Sequence, residues 1–225
     1  MDWQAIRLSL VLASLTSLVL LVVGLPIAYW LASSRWRFKF LVEALVALPL
    51  VLPPTVLGFY VLLLIGPRGP LGRLAEALGG ARLAFTFEGL LFASVLYSLP
   101  FAVQPFVAAI AGVDRKLLEA SYCLGASEAS TFLRVVAPLA LPGIVSGMVL
   151  SFAHTLGEFG VVLMVGGNLP GKTRTVSIAI YDQVQALDYA GAFLTATLLL
   201  LVSFGVLAAT YLLQRRLLTI GPYAR

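Results

Sequence analysis

The sequence predicts an all-α membrane protein of about five transmembrane helices, and its composition and hydropathy pattern carry that prediction. Of the 225 residues, 60% are hydrophobic and only 11% are charged, which is too little polar surface to cover a water-soluble globule. The apolar residues form long stretches, each near the roughly 20 residues that a helix needs to cross hydrocarbon. These stretches lie at residues 8–31, 40–65, 90–111, 139–165 and 193–213.

The first apolar stretch begins a few residues after Met1, where a secretory signal peptide would also begin. It is longer than the roughly 7–15 apolar residues of a signal peptide. We therefore expect it to remain in the membrane as the first span. None of the five stretches alternates apolar and polar residues as the strands of a membrane barrel do, so helices are expected throughout.

The Lys and Arg residues indicate the orientation, because an odd number of spans puts the two termini on opposite sides. One face takes nine of the 15 basic residues, clustered at helix ends: Arg35, Arg37, Lys39, Arg115, Lys116, Arg134, Arg215, Arg216 and Arg225. The other face takes Arg7, Arg68, Arg73, Arg82, Lys172 and Arg174. The positive-inside rule makes the first face cytoplasmic, with the N-terminus outside and the C-terminus inside. These flanking positions also account for the net charge of +5, so nucleic acid is not expected as a partner.

Three prolines and a glycine interrupt the second stretch near its middle: Pro49, Pro53, Pro54 and Gly58. Proline removes a backbone donor and disfavours a straight helix. A broken helix at membrane depth is tolerated where protein or a water-filled cavity satisfies the freed backbone groups. Pro53 and Pro54 are therefore candidates for lining a translocation pathway; the alternative is a kink that serves only packing.

Two pairs of hydroxyl residues are spaced one helical turn apart within later spans. Ser94 and Ser98 form one pair, and Ser151 and Thr155 form the other. A polar route without fixed positive charge would let an anion pass without trapping it, so all four residues are pathway candidates. Ser and Thr are also ordinary residues at contacts between membrane helices, and that alternative stays open.

Glu158 is the one carboxylate predicted within or near the end of a span, and His154 lies one turn before it. An ionisable residue at this depth is a functional candidate, because burying it unpaired is costly. A carboxylate facing an anion path would repel the substrate, so we expect a structural or gating role with His154 or nearby hydroxyls as partner. A proton relay is the alternative. One His and one Glu are too few ligands for a metal site, and no cofactor motif is present.

A polar segment at residues 114–134 separates the third and fourth stretches and forms the largest loop on the cytoplasmic face. Asp114 and Ser127 can each cap a helix, Leu117 and Leu124 fall on one helical face, and Gly125 interrupts the pattern. Two short helices joined at a glycine are predicted. An amphipathic unit of this kind suits either the lipid surface or a groove in another protein.

The stretch from Glu119 to Gly147, EASYCLGASEASTFLRVVAPLALPGIVSG, resembles the EAA loop of ABC importer membrane subunits. That pattern is E-A-A, three residues, G, nine residues, I-x-L-P; Ser121, Val135 and Ala137 depart from it by small changes. The resemblance implies the type I ABC importer permease fold over residues 1–225, with the loop docking onto a separate cytosolic ATPase. The coupling residues it implies are Leu117, Glu119, Ala120, Leu124, Gly125, Ala126 and Pro138.

Two further blocks, LPLVLPPTVLGFYVLLL at 48–64 and FAHTLGEFGVVLMVGGNLPGKTRTVSIAIYDQV at 152–184, are similar to the molybdate permease subgroup. Lys172 departs from the acidic residue expected at its position. The resemblance implies import of molybdate or tungstate across a bacterial or archaeal inner membrane, with an external binding protein as partner. Sulfate permeases are a related alternative.

Gly166, Gly171, Lys172 and Thr173 match the spacing of a Walker A loop, which would make the chain itself an ATPase. A phosphate-binding loop must follow a buried strand within an α/β domain, whereas this one follows an apolar span and contains Pro170. The chain is therefore expected to be no enzyme, and energy must come from a partner.

Five spans are few for a complete pore, and a symmetric pair is the simplest way to enclose one, so a homodimer is expected. Three rivals to an ABC permease remain: a stand-alone channel, a proton-coupled anion carrier, and a membrane scaffold that only recruits a partner.

Overall fold

The computed structural model describes residues 2–80 and 82–220, with side chains described as far as residue 212, and within these ranges the regular structure is helical. The helices are α1 Trp3–Ser33, α2 Lys39–Val51, α3 Pro54–Ile65, α4 Pro70–Ala77, α5 Phe87–Ala111, α6 Arg115–Cys123, α7 Glu128–Thr131, α8 Ala137–Leu156, α9 Gly160–Gly166, α10 Val176–Gln185 and α11 Tyr189–Ile220. Arg225 and the side chains of Arg215 and Arg216 lie outside the described residues.

Five helical segments in the described ranges are long and apolar enough to cross a membrane. They are Trp3–Ser33, Pro54–Ala77, Phe87–Ala111, Glu128–Leu156 and Tyr189–Leu212. Their outward surfaces carry exposed apolar side chains such as Val22 and Leu200, which suit a lipid environment. The predicted all-α membrane fold with five spans is confirmed.

The central unit consists of α1, α5 and α8, which pack against one another along most of their length. Leu20, Val103, Phe106 and Ile144 are buried where the three helices meet. Polar caps help fix where these helices start: the Asp2 side chain accepts a hydrogen bond from the Ala5 N–H of α1. The helix α11 lies at the periphery and packs on α8 and α10.

The second apolar stretch forms two helices, α2 and α3, which are separated by a break at Leu52 and Pro53. Pro53 and Pro54 lack N–H donors, and Pro54 opens α3 at the position where a missing donor costs least. Pro49 remains inside α2, so the predicted interruption comes from Pro53 and Pro54 alone. The apolar span here runs over Pro54–Ala77 and includes α4, in place of residues 40–65.

The fourth apolar stretch also breaks, and this break was not predicted. The helix α8 ends at Leu156, Gly157 caps it, and α9 begins at Gly160. The helix before the break extends further toward the N-terminus than expected, since Glu128–Leu156 is helical throughout, with a π-helical turn at Phe132–Val136. Residues 139–165 are therefore two helices, with Glu158 at their junction.

The short helices α6 and α7 form the predicted pair joined at a glycine. Asp114 caps α6 by accepting a hydrogen bond from the Lys116 N–H, and Ser127 caps α7 by accepting one from the Ser130 N–H. Gly125 adopts a left-handed conformation with φ 81°, which an L-residue with a side chain rarely adopts. The hydroxyls of Ser121 and Thr131 lie 2.9 Å apart and tie the two helices together.

Candidate functional site

A buried polar layer lies where α5 passes the junction of α8 and α9. The Ser94 hydroxyl of α5 donates a 2.9 Å hydrogen bond to Oε2 of Glu158. Ser94 is fully buried and Glu158 is 4% exposed. Among the described residues, Oε1 of Glu158 has no hydrogen-bond partner. Of the two partners expected for Glu158, the structure therefore has the hydroxyl and not His154.

One turn further along α5, Ser98 joins the same layer. Its hydroxyl lies 2.9 Å from Nδ1 of His154 and 2.8 Å from Oγ1 of Thr155. The His154 ring stacks on Phe101 with centroids 3.9 Å apart and touches Tyr97. The imidazole is thus held between an aromatic ring and a hydroxyl. In the described ranges no group of three or more His, Cys, Asp or Glu residues could hold a metal ion.

The second predicted hydroxyl pair connects to α1. The Ser17 hydroxyl lies 3.3 Å from that of Ser151 and donates to the Met148 carbonyl at 3.1 Å. Thr155 bonds back to the Ser151 carbonyl on its own helix. Five pathway candidates, Ser94, Ser98, Ser151, Thr155 and Glu158, are therefore buried between helices of one chain in this conformation.

Pro53 and Pro54, the other two pathway candidates, are exposed on the surface of the single chain. The helix that follows the first break, α3, packs here on the helix that follows the second break, α9. A methyl group at Gly160 would lie 2.7 Å from Cβ of Pro54, and one at Gly58 would lie 2.8 Å from Cβ of Met164. Gly58 therefore permits close packing and does not interrupt α3. The two half-helices form a closely packed unit, the α3–α9 pair.

The α6–α7 pair presents most of the predicted coupling residues on an exposed surface. Leu124 is 89% exposed and Leu117 is 42% exposed, although neither belongs to the apolar membrane spans. Glu119, Ala120 and Gly125 are exposed too, and Ala126 is half-buried. Leu124, Gly125 and Ala126 border a shallow cleft of about 480 Å³ that Ser130 and Arg134 also line. Pro138 lies apart from this surface, exposed in the first turn of α8.

The loop between α9 and α10, residues 167–175, lies at the opposite end of the molecule. Arg174 holds it in place: its Nε donates to Asn168 at 2.6 Å, and its other nitrogens lie 3.7 Å from Asp2 and 3.5 Å from Asp182. The buried Thr173 hydroxyl donates to the Gly166 carbonyl at 2.7 Å. This loop follows a helix and closes on its own backbone, so it is no phosphate-binding loop. Lys172 is exposed.

The sequence of this chain matches a known family of membrane proteins. Over residues 24–219 the chain matches the family described as binding-protein-dependent transport system inner membrane component. The chain belongs to this family. It is a multi-pass permease subunit of an inner membrane, and the subunits of this family are not themselves ATPases.

Similar permeases are known from several organisms. The chain is 56% identical, over 95% of each protein, to the molybdenum transport system permease protein ModB of Azotobacter vinelandii. It is 40% identical to the protein of that name from Escherichia coli strain K12, over 82% of this chain and 80% of the relative. A probable sulfate transport system permease protein cysT from Prototheca wickerhamii is 34% identical, over 88% of this chain and 76% of the relative.

Solved structures agree with the permease fold. A bacterial alginate ABC transporter in complex with its pentasaccharide-bound periplasmic protein aligns with a TM-score of 0.78, at 19% identity over 97% of this chain and 80% of that one. The inward-facing MetNI methionine ABC transporter aligns with a TM-score of 0.76, at 17% identity over 96% of each. At this identity the likeness concerns the fold alone, and it confirms the type I ABC importer permease architecture.

Two features that shape this permease were not predicted from the sequence. Gly143 and Gly147 let α8 approach α5: a methyl group at Gly147 would lie 2.6 Å from Cε1 of Phe106, and one at Gly143 would overlap Ala109. The G-x-x-x-G spacing of membrane helix contacts was the available signal. The ion pairing of Arg174 carried no such signal, because its partner Asp2 lies before α1, far from Arg174 in the sequence.

Proposed function

We propose that this permease is the pore-forming subunit of an ATP-driven importer that moves molybdate or tungstate into the cell. The observation that carries this proposal is the 56% identity, over 95% of both chains, to a molybdenum transport permease. Identity to a sulfate permease is lower, at 34%. Both molybdate and tungstate are proposed as substrates, because they are tetrahedral anions of nearly the same size and charge.

The proposed coupling segment is 114–134, with the N-terminus of the chain outside and this segment in the cytoplasm. The exposed Leu117 of α6 and the exposed Leu124 directly after it suit a groove in a partner protein, where apolar side chains are covered on binding. Arg35 and Lys39 line one cleft together with Arg115 of this segment, and this cluster of basic residues supports a cytoplasmic location for it. Two such segments would meet two cytosolic ATPase subunits.

The proposed pathway runs along the axis of a homodimer, since one chain of five spans does not enclose a pore. The α3–α9 pair supports a gating role, because each of its helices follows a break, α3 after α2 and α9 after α8. Because a break separates α3 from α2 and another separates α9 from α8, the pair can change its tilt while the central helices stay packed. The Ser94–Glu158 bond would then hold the α8–α9 junction in register during that change.

The opposite face is proposed to receive an external binding protein. The Arg174 contacts with Asp2 and Asp182 join the 167–175 loop to the start of α1 and to α10. These contacts would give a docking partner a fixed surface. ATP binding would bring the two coupling segments together and shift the permease between inward- and outward-facing states.

The experiment that tests this function measures ATP hydrolysis by the reconstituted complex of the permease with its ATPase. Binding protein is added without ligand, and then loaded with molybdate, tungstate or sulfate. Stimulation by the first two anions alone supports the proposal, and stimulation by sulfate alone would assign the complex to the sulfate class. If a stable complex shows no stimulation with any anion, the ATP-coupled function is wrong.

A further inference from the structure

A cleft of about 530 Å³ opens at the end of the molecule where α1 ends, α2 begins and α5 gives way to α6. Basic side chains from three different segments line it: Arg35, Lys39 and Arg115. Apolar residues form its inner wall, including the buried Val113 and Val136. The cleft is therefore amphipathic, with a cationic rim above an apolar wall.

The positive charge of the rim is largely uncompensated. In the described part of the chain neither Arg35 nor Arg115 forms an ion pair, while Lys39 lies 3.6 Å from Glu43. Among the described residues that line the cleft, Glu119 is the single acidic one, so three cations face one carboxylate there. The positive-inside rule explains why basic residues lie at helix ends, but it does not require cations from three segments to converge on one cleft.

Aromatic side chains beside the cleft mark the level of the membrane surface. Trp30, Trp36 and Phe38 are 40%, 50% and 40% exposed and form a continuous row, with ring centroids 6.0 Å and 5.7 Å apart. Exposed Trp and other aromatic side chains favour the boundary between hydrocarbon and water. Because Arg35 lies between Trp30 and Trp36 in the sequence, we expect the cleft to open at the depth of the lipid headgroups.

We propose that this cleft binds the phosphate headgroup of an anionic phospholipid. Arg35 and Arg115 would contact the phosphate, and the acyl chains would leave along the apolar wall. Basic pockets between helices at a membrane surface recognise phospholipid headgroups in this way. A free oxyanion would match the cationic rim but not the apolar wall, which favours the lipid. The lipid would also touch Glu119 and Tyr122 of α6, which belong to the proposed coupling segment.

The test measures lipid binding to the purified full-length permease in detergent, by native mass spectrometry over a titration. Short-chain phosphatidylglycerol is the anionic probe, and phosphatidylcholine of the same chain length is the zwitterionic control. The double variant Arg35→Gln/Arg115→Gln removes the two unpaired cations. Its control is Arg68→Gln/Arg73→Gln, which removes two exposed cations near α4 that form no ion pair in the described part of the chain.

We expect phosphatidylglycerol to bind in preference to phosphatidylcholine. The Arg35/Arg115 variant should bind it about 30-fold more weakly, at roughly fivefold per basic side chain near the surface. The Arg68/Arg73 variant should keep wild-type binding. Equal loss in both double variants, or equal binding of the two lipids, would overturn the proposal by showing only a diffuse charge effect. Binding of inorganic phosphate that depends on Arg35 and Arg115, without phosphatidylglycerol binding, would overturn it in favour of a free-anion site. No outcome depends on transport activity, so this proposal can fail independently of the proposed function.

Discussion

The Ser94 hydroxyl donates to Oε2 of Glu158 over 2.9 Å and so ties α5 to the junction between α8 and α9. The other carboxylate oxygen, Oε1, is buried and has no partner among the described residues. A buried carboxyl group with one bond is costly to keep at membrane depth. In the described residues no cation lies near enough to form an ion pair with Glu158. Its one hydrogen bond joins α5 to a helix break, which indicates that Glu158 fixes the geometry of that break.

Substitution of Glu158 distinguishes this positioning role from a role in a proton relay. Glu158→Gln keeps an acceptor for Ser94, whereas Glu158→Ala leaves the Ser94 hydroxyl without it, at a cost of about 1–3 kcal/mol. We expect Glu158→Gln to retain most uptake and Glu158→Ala to lose stability and uptake together. Thermal unfolding in detergent and uptake in proteoliposomes measure the two effects.

The matched control is Glu88→Ala, because Glu88 is an exposed carboxylate in the first turn of the same helix α5. Its loss should change stability by no more than the roughly 0.3–1 kcal/mol of a charge near a helix end. Complete loss of uptake in a well-folded Glu158→Gln variant would contradict a purely positioning role.

The close contact between α5 and α8 depends on Gly147, so replacing this glycine should destabilise the contact. A methyl group at Gly147 would lie 2.6 Å from the Phe106 ring and 2.8 Å from the Ala102 carbonyl oxygen, and backbone cannot easily move aside. We expect Gly147→Ala to destabilise the permease by about 1–3 kcal/mol. Gly205→Ala in α11 is the control, since none of the described residues lies within 4 Å of the added methyl there. Equal melting temperatures for the two variants would show that the α5–α8 contact tolerates the extra volume.

The break between α2 and α3 was visible in the sequence because two adjacent prolines remove two backbone donors whatever surrounds them. The break between α8 and α9 was not, because it involves Gly157 and a carboxylate whose partner Ser94 is 64 residues away. Hydropathy predicted five spans for the same reason that the prolines predicted the first break: both signals depend on local composition. It could not show that α4 would extend the second span.

The hydroxyl pairs illustrate the same limit on a finer scale. Their one-turn spacing predicted that Ser94 and Ser98 share a face of α5, and both lie in the buried polar layer. Which helix they face depends on the crossing of α5 and α8, set by Gly143 and Gly147. Capping of α6 and α7 was predictable because Asp114 and Ser127 act on backbone donors two or three residues away.

Arg174 should matter for the external surface more than for stability. Its contacts to Asp2 and Asp182 are half-exposed, and surface ion pairs of this kind are worth about 0–1 kcal/mol each. We expect Arg174→Ala to leave the melting temperature nearly unchanged and to weaken stimulation of ATP hydrolysis by loaded binding protein. Lys172→Ala, which removes an exposed cation two residues away, is the control. If both variants are stimulated as well as wild type, the Arg174 contacts do not shape the docking surface.

Exposed leucines at the ends of two short helices allow a matched test of the coupling segment. Leu124 follows α6 and is 89% exposed, while Leu78 follows α4 and is 79% exposed. We expect Leu124→Ser to weaken binding of the ATPase by the roughly 1.5–3 kcal/mol of a buried leucine, since docking would cover this side chain. Leu78→Ser should leave binding unchanged. The dissociation constant of the purified permease for its ATPase measures the difference, and equal weakening would place the docking surface elsewhere.

The glycine after each of these leucines provides the sharpest test, because the two helix ends have the same geometry. Gly125 has φ 81° and donates to the Tyr122 carbonyl at 2.9 Å, while Gly79 has φ 75° and donates to the Glu76 carbonyl at 3.0 Å. Proline fixes φ near −65° and removes the donor, so Gly125→Pro and Gly79→Pro disturb their turns equally. We expect only Gly125→Pro to abolish stimulation of ATP hydrolysis, while both variants insert and purify as well-folded permeases. Normal stimulation in Gly125→Pro would exclude the α6–α7 pair as the coupling element, because the angle between its two helices could not have survived.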